Sequence, residues 1–385
     1  MSTPVVPARR RLDGIDVVRG LIMILMALDH TRDFFGSPVA VTATLPLFFT
    51  RWITHFCAPT FALLTGTSAR LALARKGCAG LSRFLLTRGL WLVLLEVTVV
   101  RCLVYQFNVD YHTTLLLVLW SLGCSMILLA ALVWLPDWAI AALAVVLIAG
   151  HNLLDGLRVA SPLWSLVHRQ GFLLNTPEHT VFVAYPLVPW IAVVALGYVL
   201  GRVYSWVPTL RQAFLFPTGL MLTLAFVALR LLNLYGDPAK WQHGDTFGRT
   251  LISFLNVTKN PPSLIFLLMT LGPALVLLSL FDSGAPKWMQ PAVIIGRVPL
   301  FYYIGHFFLL HAAAVVICLV INGSAHWMFA SPDLGNYPFT QPPGWGSGLV
   351  TVYIMWAVVV MTMYGACRWF AALKQRRRDW WLSYL

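Results

Sequence analysis

Charge is scarce in this sequence. Asp, Glu, Lys and Arg make up 11% of its 385 residues against 59% apolar residues, where soluble proteins carry about 25% charged residues. That scarcity excludes an ordinary water-soluble domain and points to a polytopic membrane protein. Punctuation is missing as well: no polar linker and no repeat at a fixed period divides the chain, so residues 1–385 read as a single domain. The inverted repeat common in transporters is not evident. HExxH, a Walker A loop and a Rossmann glycine fingerprint are all absent, and no histidine begins the His-x4-Asp arrangement of glycerolipid acyltransferases. Hydrolytic zinc chemistry and ATP-driven transport are therefore disfavoured, and no metal cofactor is expected. The six cysteines, Cys57, Cys78, Cys102, Cys124, Cys318 and Cys367, form no CxxC pair and fall almost entirely within apolar runs, as small packing residues do.

What is present is a series of apolar runs near the roughly 20 residues that a bilayer crossing needs. They cover 17–36, 53–73, 84–105, 113–134, 138–153, 180–201, 213–234, 263–282, 292–321 and 347–371. The expected fold is all-α, a transmembrane bundle of about ten helices with both termini cytoplasmic. The first run carries charges and no small-residue cleavage site follows it, so it reads as an uncleaved helix rather than a signal peptide. The net charge of +13 raises nucleic acid as a partner, but the basic residues sit where the positive-inside rule puts them. In the ten-helix arrangement 18 of the 27 Lys and Arg residues fall on the cytoplasmic side, among them Arg9, Arg10, Arg11, Arg75, Lys76, Arg88 and the tail Lys374 to Arg378. That tail reads as an anchor at an anionic leaflet, and no nucleic-acid partner is expected. The three longer loops, 154–179, 235–262 and 322–346, then lie outside. A bacterial inner membrane is the expected home, and the oligomeric state stays open, a homo-oligomer being admissible.

The most informative stretch is Val17 to Phe35, VVRGLIMILMALDHTRDFF, because Asp29, His30, Arg32 and Asp33 end a segment otherwise apolar enough to cross a bilayer. Each ionisable group carried into hydrocarbon costs roughly 2.5–3.5 kcal/mol, so such groups face a bundle interior or a watery cavity. Asp33 follows His30 by three residues and Arg32 follows Asp29 by three, so each carboxylate reaches a partner on its own stripe. A carboxylate beside an imidazole fixes its tautomer and favours its protonated form, as a general base requires. In the second run Arg51 and His55 stand one turn apart at the depth of His30. Mid-membrane His306, after Tyr302 and Gly305, is a candidate wall of a buried channel, with His311 further out. Glu96 is deep and is expected to pair with Arg101. The segment SFLNVTKNPPSLIFLLMTLGP places Asn256 and Lys259 just before a helix opened by Pro261 and Pro262, where a lysine can hold a phosphate or carboxylate.

Five segments in order, DVVRGLIMILMALDHTRDFF, THFCAPTFALLTGTS, YPLVPWIAVVALGYVLGR, FLNVTKNPPSLIFLLMTLGP and GRVPLFYYIGHFFLLH, resemble bacterial membrane proteins related to the catalytic domain of heparan-alpha-glucosaminide N-acetyltransferase, within the transmembrane acyltransferase group. The resemblance implies a helix bundle that passes an acyl group from cytoplasmic acyl-CoA to a sugar amine or hydroxyl on the far side, with a membrane-embedded histidine as the key group. The lysosomal enzyme has asparagine where His30 stands and carries its catalytic histidine in the following loop. Here that loop, GSPVAVTATLPLFF, has no histidine, so the role passes to His30 or His55. On this reading His30 is the base, Asp29 or Asp33 orients it, and His55 shares the catalytic set. Arg32, Arg51, Asn256, Lys259 and His306 bind substrate or donor, acetyl-CoA or another acyl-CoA is the donor, and an envelope carbohydrate is the acceptor. A proton-coupled transporter or flippase of an envelope precursor is the competing reading, and a non-catalytic assembly protein a third.

Overall fold

Helix α1 (Asp13–Phe35) stands at the centre of the structure, which is a computed structural model describing residues 13–157, 159, 161–332, 340–377, 379 and 382. Arg9, Arg10, Arg11 and Arg378, and part of the loop 322–346, lie outside the described residues. A short helix α2 (Leu45–Trp52) is capped by the Thr44 hydroxyl, which accepts from the Leu47 amide, with Pro46 in its first turn. A 3₁₀ turn (Ile53–Phe56) leads into α3 (Cys57–Leu95), which Gly77 breaks into two arms at φ 66° and ψ 174°. That left-handed conformation carries no steric penalty for glycine. A π-helical stretch, Glu96–Tyr105, continues the second arm.

The remaining helices are α4 (Val118–Leu132), α5 (Asp137–Gly150), α6 (Pro162–Val167), α7 (Leu187–Leu200) and α8 (Pro208–Leu232). They are followed by α9 (Phe247–Leu255), α10 (Leu264–Leu280), α11 (Gln290–Arg297), α12 (Pro299–Asn322) and α13 (Leu349–Arg376). Among the described residues, five segments are long and apolar enough to cross a bilayer by themselves: Asp137–Leu154, Leu187–Ser205, Pro208–Leu232, Pro299–Asn322 and Leu349–Arg376. Helices α4 and α10 are apolar but shorter. The chain is thus a mostly helical integral membrane protein.

One part of it is not helical. The runs 113–134 and 180–201 begin as strands, β1 (Thr113–Leu116) and β3 (Thr180–Val183), which pair in parallel. β2 (Gly171–Asn175) pairs antiparallel with β3, giving the order β1-β3-β2. The expectation of an all-α chain is corrected to that extent. Thr113, Thr114, Thr180, Val181 and Val183 are β-branched and suit a pleated surface better than a helix.

Close helix packing rests on small residues. A Cβ on Gly66 would lie 1.9 Å from the Val194 carbonyl oxygen and one on Gly197 2.1 Å from that of Leu63, so α3 and α7 meet backbone to backbone. Thr67 adds a hydrogen bond from its hydroxyl to the Gly197 carbonyl, at 3.1 Å. Gly20 and Gly296 lock α1 against α11 in the same way. Ion pairs tie the helix ends together: Arg70 to Asp137 at 2.7 Å, Arg202 to Asp137 at 3.1 Å, Arg211 to Asp282, and Arg297 to Asp13 at 3.2 Å.

Candidate active site

The helical repeat of α1 turns one stripe of it toward a single cavity. Arg19, Ile22, Met23, Met26, Asp29, His30 and Asp33 recur at intervals of three and four residues, and all of them line a space of about 870 Å³. Facing them are Thr65, Ser68, Ala69 and Ala72 from the first arm of α3, and Leu85, Arg88 and Leu92 from the second. Gln170, just before β2, Phe182, in the central strand β3, and Lys259 and Asn260, in the turn before α10, complete one end.

At that end Arg32 ties the carboxylates together. Its Nη2 donates to Asp29 Oδ1 at 3.1 Å and to Asp33 Oδ1 at 2.7 Å. Lys259 Nζ approaches Asp29 from the other side at 3.8 Å. His30 Nδ1 lies 3.8 Å from Asp33 Oδ2, close enough for an ion pair with a protonated ring and too far for a hydrogen bond. The His30 ring packs on Phe307, centroids 4.0 Å apart, and faces His306 at 5.4 Å. His306 is fully buried, and its Nδ1 sits 2.8 Å from the Tyr302 carbonyl. A carbonyl only accepts, so that nitrogen carries the proton. Three polar atoms on the cavity wall, His30 Nδ1, Arg32 Nε and Asn260 Oδ1, are buried and make no hydrogen bond within the protein. Buried polar atoms are ordinarily satisfied, so orphans gathered on one wall mark where a ligand or water bonds.

The far end of the cavity is basic. Arg75 and Lys76 are exposed beside the break at Gly77, with Arg88 across from them. Lys76 Nζ rests over the Phe84 ring at 4.5 Å. Arg19 closes that side, held by Asp16 at 3.0 Å, the Gly296 carbonyl at 3.1 Å and the Ser68 hydroxyl at 2.8 Å. One void therefore connects a set of cations suited to phosphates with a cluster of carboxylates, imidazole and cations suited to proton transfer.

Of the residues expected from sequence, Asp29, His30, Arg32, Asp33, Arg51 and Lys259 are brought together on this wall. His55, His306 and Asn256 are not. The 3₁₀ turn has three residues per turn, which stacks Arg51, Thr54 and Cys57 toward the cavity and directs His55 away. His55 is 2% exposed, lies 5.5 Å from the Phe266 ring, and neither ring nitrogen has a partner. Asn256 is exposed, its carbonyl taken by Arg230 at 3.2 Å, and Asn260 lines the cavity in its place. His306 stands one layer behind, against His30. His311 sits with its ring nitrogens 3.1 Å and 2.7 Å from the carbonyls of Val104 and Met328.

The expected Glu96–Arg101 pair is corrected too. Each side chain is taken by other partners: Arg101 bonds Asp110 at 2.7 Å and Asn108 at 2.6 Å, while Glu96 Oε2 accepts from the Leu119 and Trp120 amides at 2.8 Å and 3.1 Å. Glu96 thus caps the first turn of α4, where a carboxylate meets unpaired N–H groups and the positive end of the helix dipole. Glu96→Ala is expected to cost about 1–2 kcal/mol, and Glu96→Gln less, because the amide oxygen still accepts. Melting temperature and yield in detergent measure the cost. Unchanged stability in Glu96→Ala contradicts the capping role.

Arg75, Lys76 and Arg88 count in the sequence only as positive-inside residues, although Arg88, set within an apolar run, carries the signal of an intramembrane charge. Gln170 and Phe182 carry no such signal, since a loop and a strand bring them in. Comparison with known families matches residues 11–235 to the family model described as heparan-alpha-glucosaminide N-acetyltransferase, catalytic. That range spans more than half of the chain and holds the α1 cluster and the basic end, while Lys259 and His306 fall beyond it. No curated protein matches the chain.

Proposed function

We propose, from the premise that the chain belongs to the heparan-alpha-glucosaminide N-acetyltransferase catalytic family, that it is a transmembrane acyltransferase moving an acyl group, acetyl in the first instance, from acyl-CoA to an envelope carbohydrate. The observation that carries this reading is the single cavity of about 870 Å³ shared by Arg75, Lys76 and Arg88 at one end and by Asp29, His30, Arg32, Asp33 and Lys259 at the other. With ten crossings and both termini cytoplasmic, the basic end meets the cytoplasm and the phosphates of the donor. The pantetheine arm then lies along the apolar lining between the arms of α3, with the thioester toward α1. An acceptor reaches the opposite end under the small sheet.

His30 takes the proton of the acceptor hydroxyl or amine as its oxygen or nitrogen bonds the thioester carbonyl carbon. Arg32 and Lys259 hold the oxyanion that forms. The carbon–sulfur bond then breaks, and the thiolate leaves with the proton returned from His30. Asp33 faces His30 Nδ1 at 3.8 Å, and Asp29, bonded to Arg32, keeps that guanidinium in position. His306 sets the ring of His30 from behind and acts as a positioning residue.

The test is transfer of labelled acetyl from acetyl-CoA to carbohydrate by the protein in proteoliposomes, with donor and acceptor on opposite faces. Transfer is expected, and Arg75→Ala with Lys76→Ala should raise KM for the donor about tenfold with little change in kcat, since a hydrogen bond to a charged group is worth about 1.5–3 kcal/mol before screening. No transfer and no acetyl-CoA binding, together with substrate movement driven by a proton gradient, would replace this reading with the transporter.

A further inference from the structure

Among the described residues, one group of metal-ligating side chains lies outside the cavity. His151, Asp155 and His168 offer three ligand atoms within 4.8 Å of one another, and none of the three residues lines the cavity. His151 and His168 are each 2% exposed. His151 Nδ1 stands 3.2 Å from His168 Nε2, and the latter 3.7 Å from Asp155 Oδ1. Two nitrogens bound to one tetrahedral ion at about 2.0–2.1 Å are roughly 3.3 Å apart, so the imidazoles already present one edge of a coordination tetrahedron.

The surroundings are those of a supported site. Asp155 Oδ2 accepts from Asn152 Nδ2 at 2.8 Å, and Asn152 Oδ1 accepts from the Leu264 amide at 2.9 Å, the first residue of α10. The carboxylate is thus oriented by a partner that is itself fixed, as metal-binding carboxylates are. The Trp164 ring covers His168 at 5.4 Å. In the sequence His151 and Asp155 stand four residues apart, around the 3₁₀ turn His151–Leu154 that follows α5, while His168 comes later, after α6.

We propose that His151 Nδ1, His168 Nε2 and the Asp155 carboxylate bind one divalent transition-metal ion, with zinc preferred, and that this ion fastens the end of α5 to the segment leading into β2. Two imidazoles and one carboxylate suit zinc among the divalent ions, and a fourth position is left for water. Because none of the three ligands lines the cavity, the ion is assigned to holding the fold, although its fourth position stays open to water. His168 lies two residues before Gln170 on the cavity wall, and the Asn152–Leu264 bond joins the same site to the turn bearing Lys259 and Asn260. An ion here holds both sides of that wall without touching a substrate.

The experiment uses the full chain, purified in detergent through a tag free of histidine, stripped with chelator and dialysed against zinc. One zinc per chain and a rise in melting temperature on readdition are expected. Cobalt(II) in place of zinc should give the visible d–d absorption of a tetrahedral nitrogen and oxygen site in the wild-type protein. His168→Ala and Asp155→Asn should each weaken zinc binding by roughly 100-fold or more. A wild type that binds no stoichiometric zinc and gives no cobalt spectrum overturns the site, whether or not the variants fold. So does zinc held as tightly by His168→Ala as by the wild type.

Discussion

Replacing His30 with alanine is expected to reduce acyl transfer by about 10²–10⁴-fold, the range for loss of a positioned general base, with acyl-CoA binding and folding kept. The separation follows from the geometry. His30 stands in the carboxylate and cation cluster, and the cations suited to donor phosphates line the other end of the same cavity. The neighbours of His30 in the core are Phe307 and His306, and a void left beside them costs stability without touching the donor end. His55→Ala should lose much less activity, because that ring turns away from the cavity. Labelled transfer in proteoliposomes, beside acetyl-CoA binding by the same preparations, measures both. Full transfer by His30→Ala would remove the base from the mechanism.

Arg32→Ala is expected to have the second large effect, and on folding as well as chemistry. Among the described residues Arg32 is bonded to both Asp29 and Asp33, at 3.1 Å and 2.7 Å, and removing it leaves two half-shielded carboxylates side by side, with Lys259 3.8 Å from Asp29 and His30 3.8 Å from Asp33. Breaking a buried pair from one side costs about 3–5 kcal/mol, so melting temperature and yield should fall sharply. A variant with Arg32→Met and Asp33→Asn together leaves Asp29 paired with Lys259 and should recover stability while staying inactive. Recovery of transfer by that variant, or normal stability in Arg32→Ala, contradicts the part assigned to the cluster.

The cluster on α1 was legible in the sequence because charge at the end of an apolar run is costly and because spacings of three and four residues survive intact on a regular helix. Where the backbone departs from the α-helix, legibility stops. His55 was expected in the site one turn after Arg51, but the 3₁₀ turn changes the angular step and turns it inward. Glu96 and Arg101 are close enough in sequence to read as a pair, yet the tertiary fold brings Glu96 the free amides of α4 and Arg101 the loop at Asn108 and Asp110. Asn256 and Asn260 are equivalent in composition, and only the fold of the turn decides between them. The strands β1 and β3 are hidden for another reason: short β-branched segments joined to apolar helices lengthen the same hydrophobic runs.

A cavity between the two faces of a membrane protein also raises the matter of permeability. In the proposed orientation, a wetted path from the basic end to the cluster near His30 would let ions follow their gradient between turnovers. Arg32, Arg51 and Lys259 stand there against Asp29 and Asp33, three positive groups to two negative. Such a positive excess beside a passage is an electrostatic barrier to hydronium and alkali cations, as it is in water-selective pores. On the proposed function, the side chains assigned to acyl transfer therefore also oppose the passage of cations along the route assigned to the acyl group.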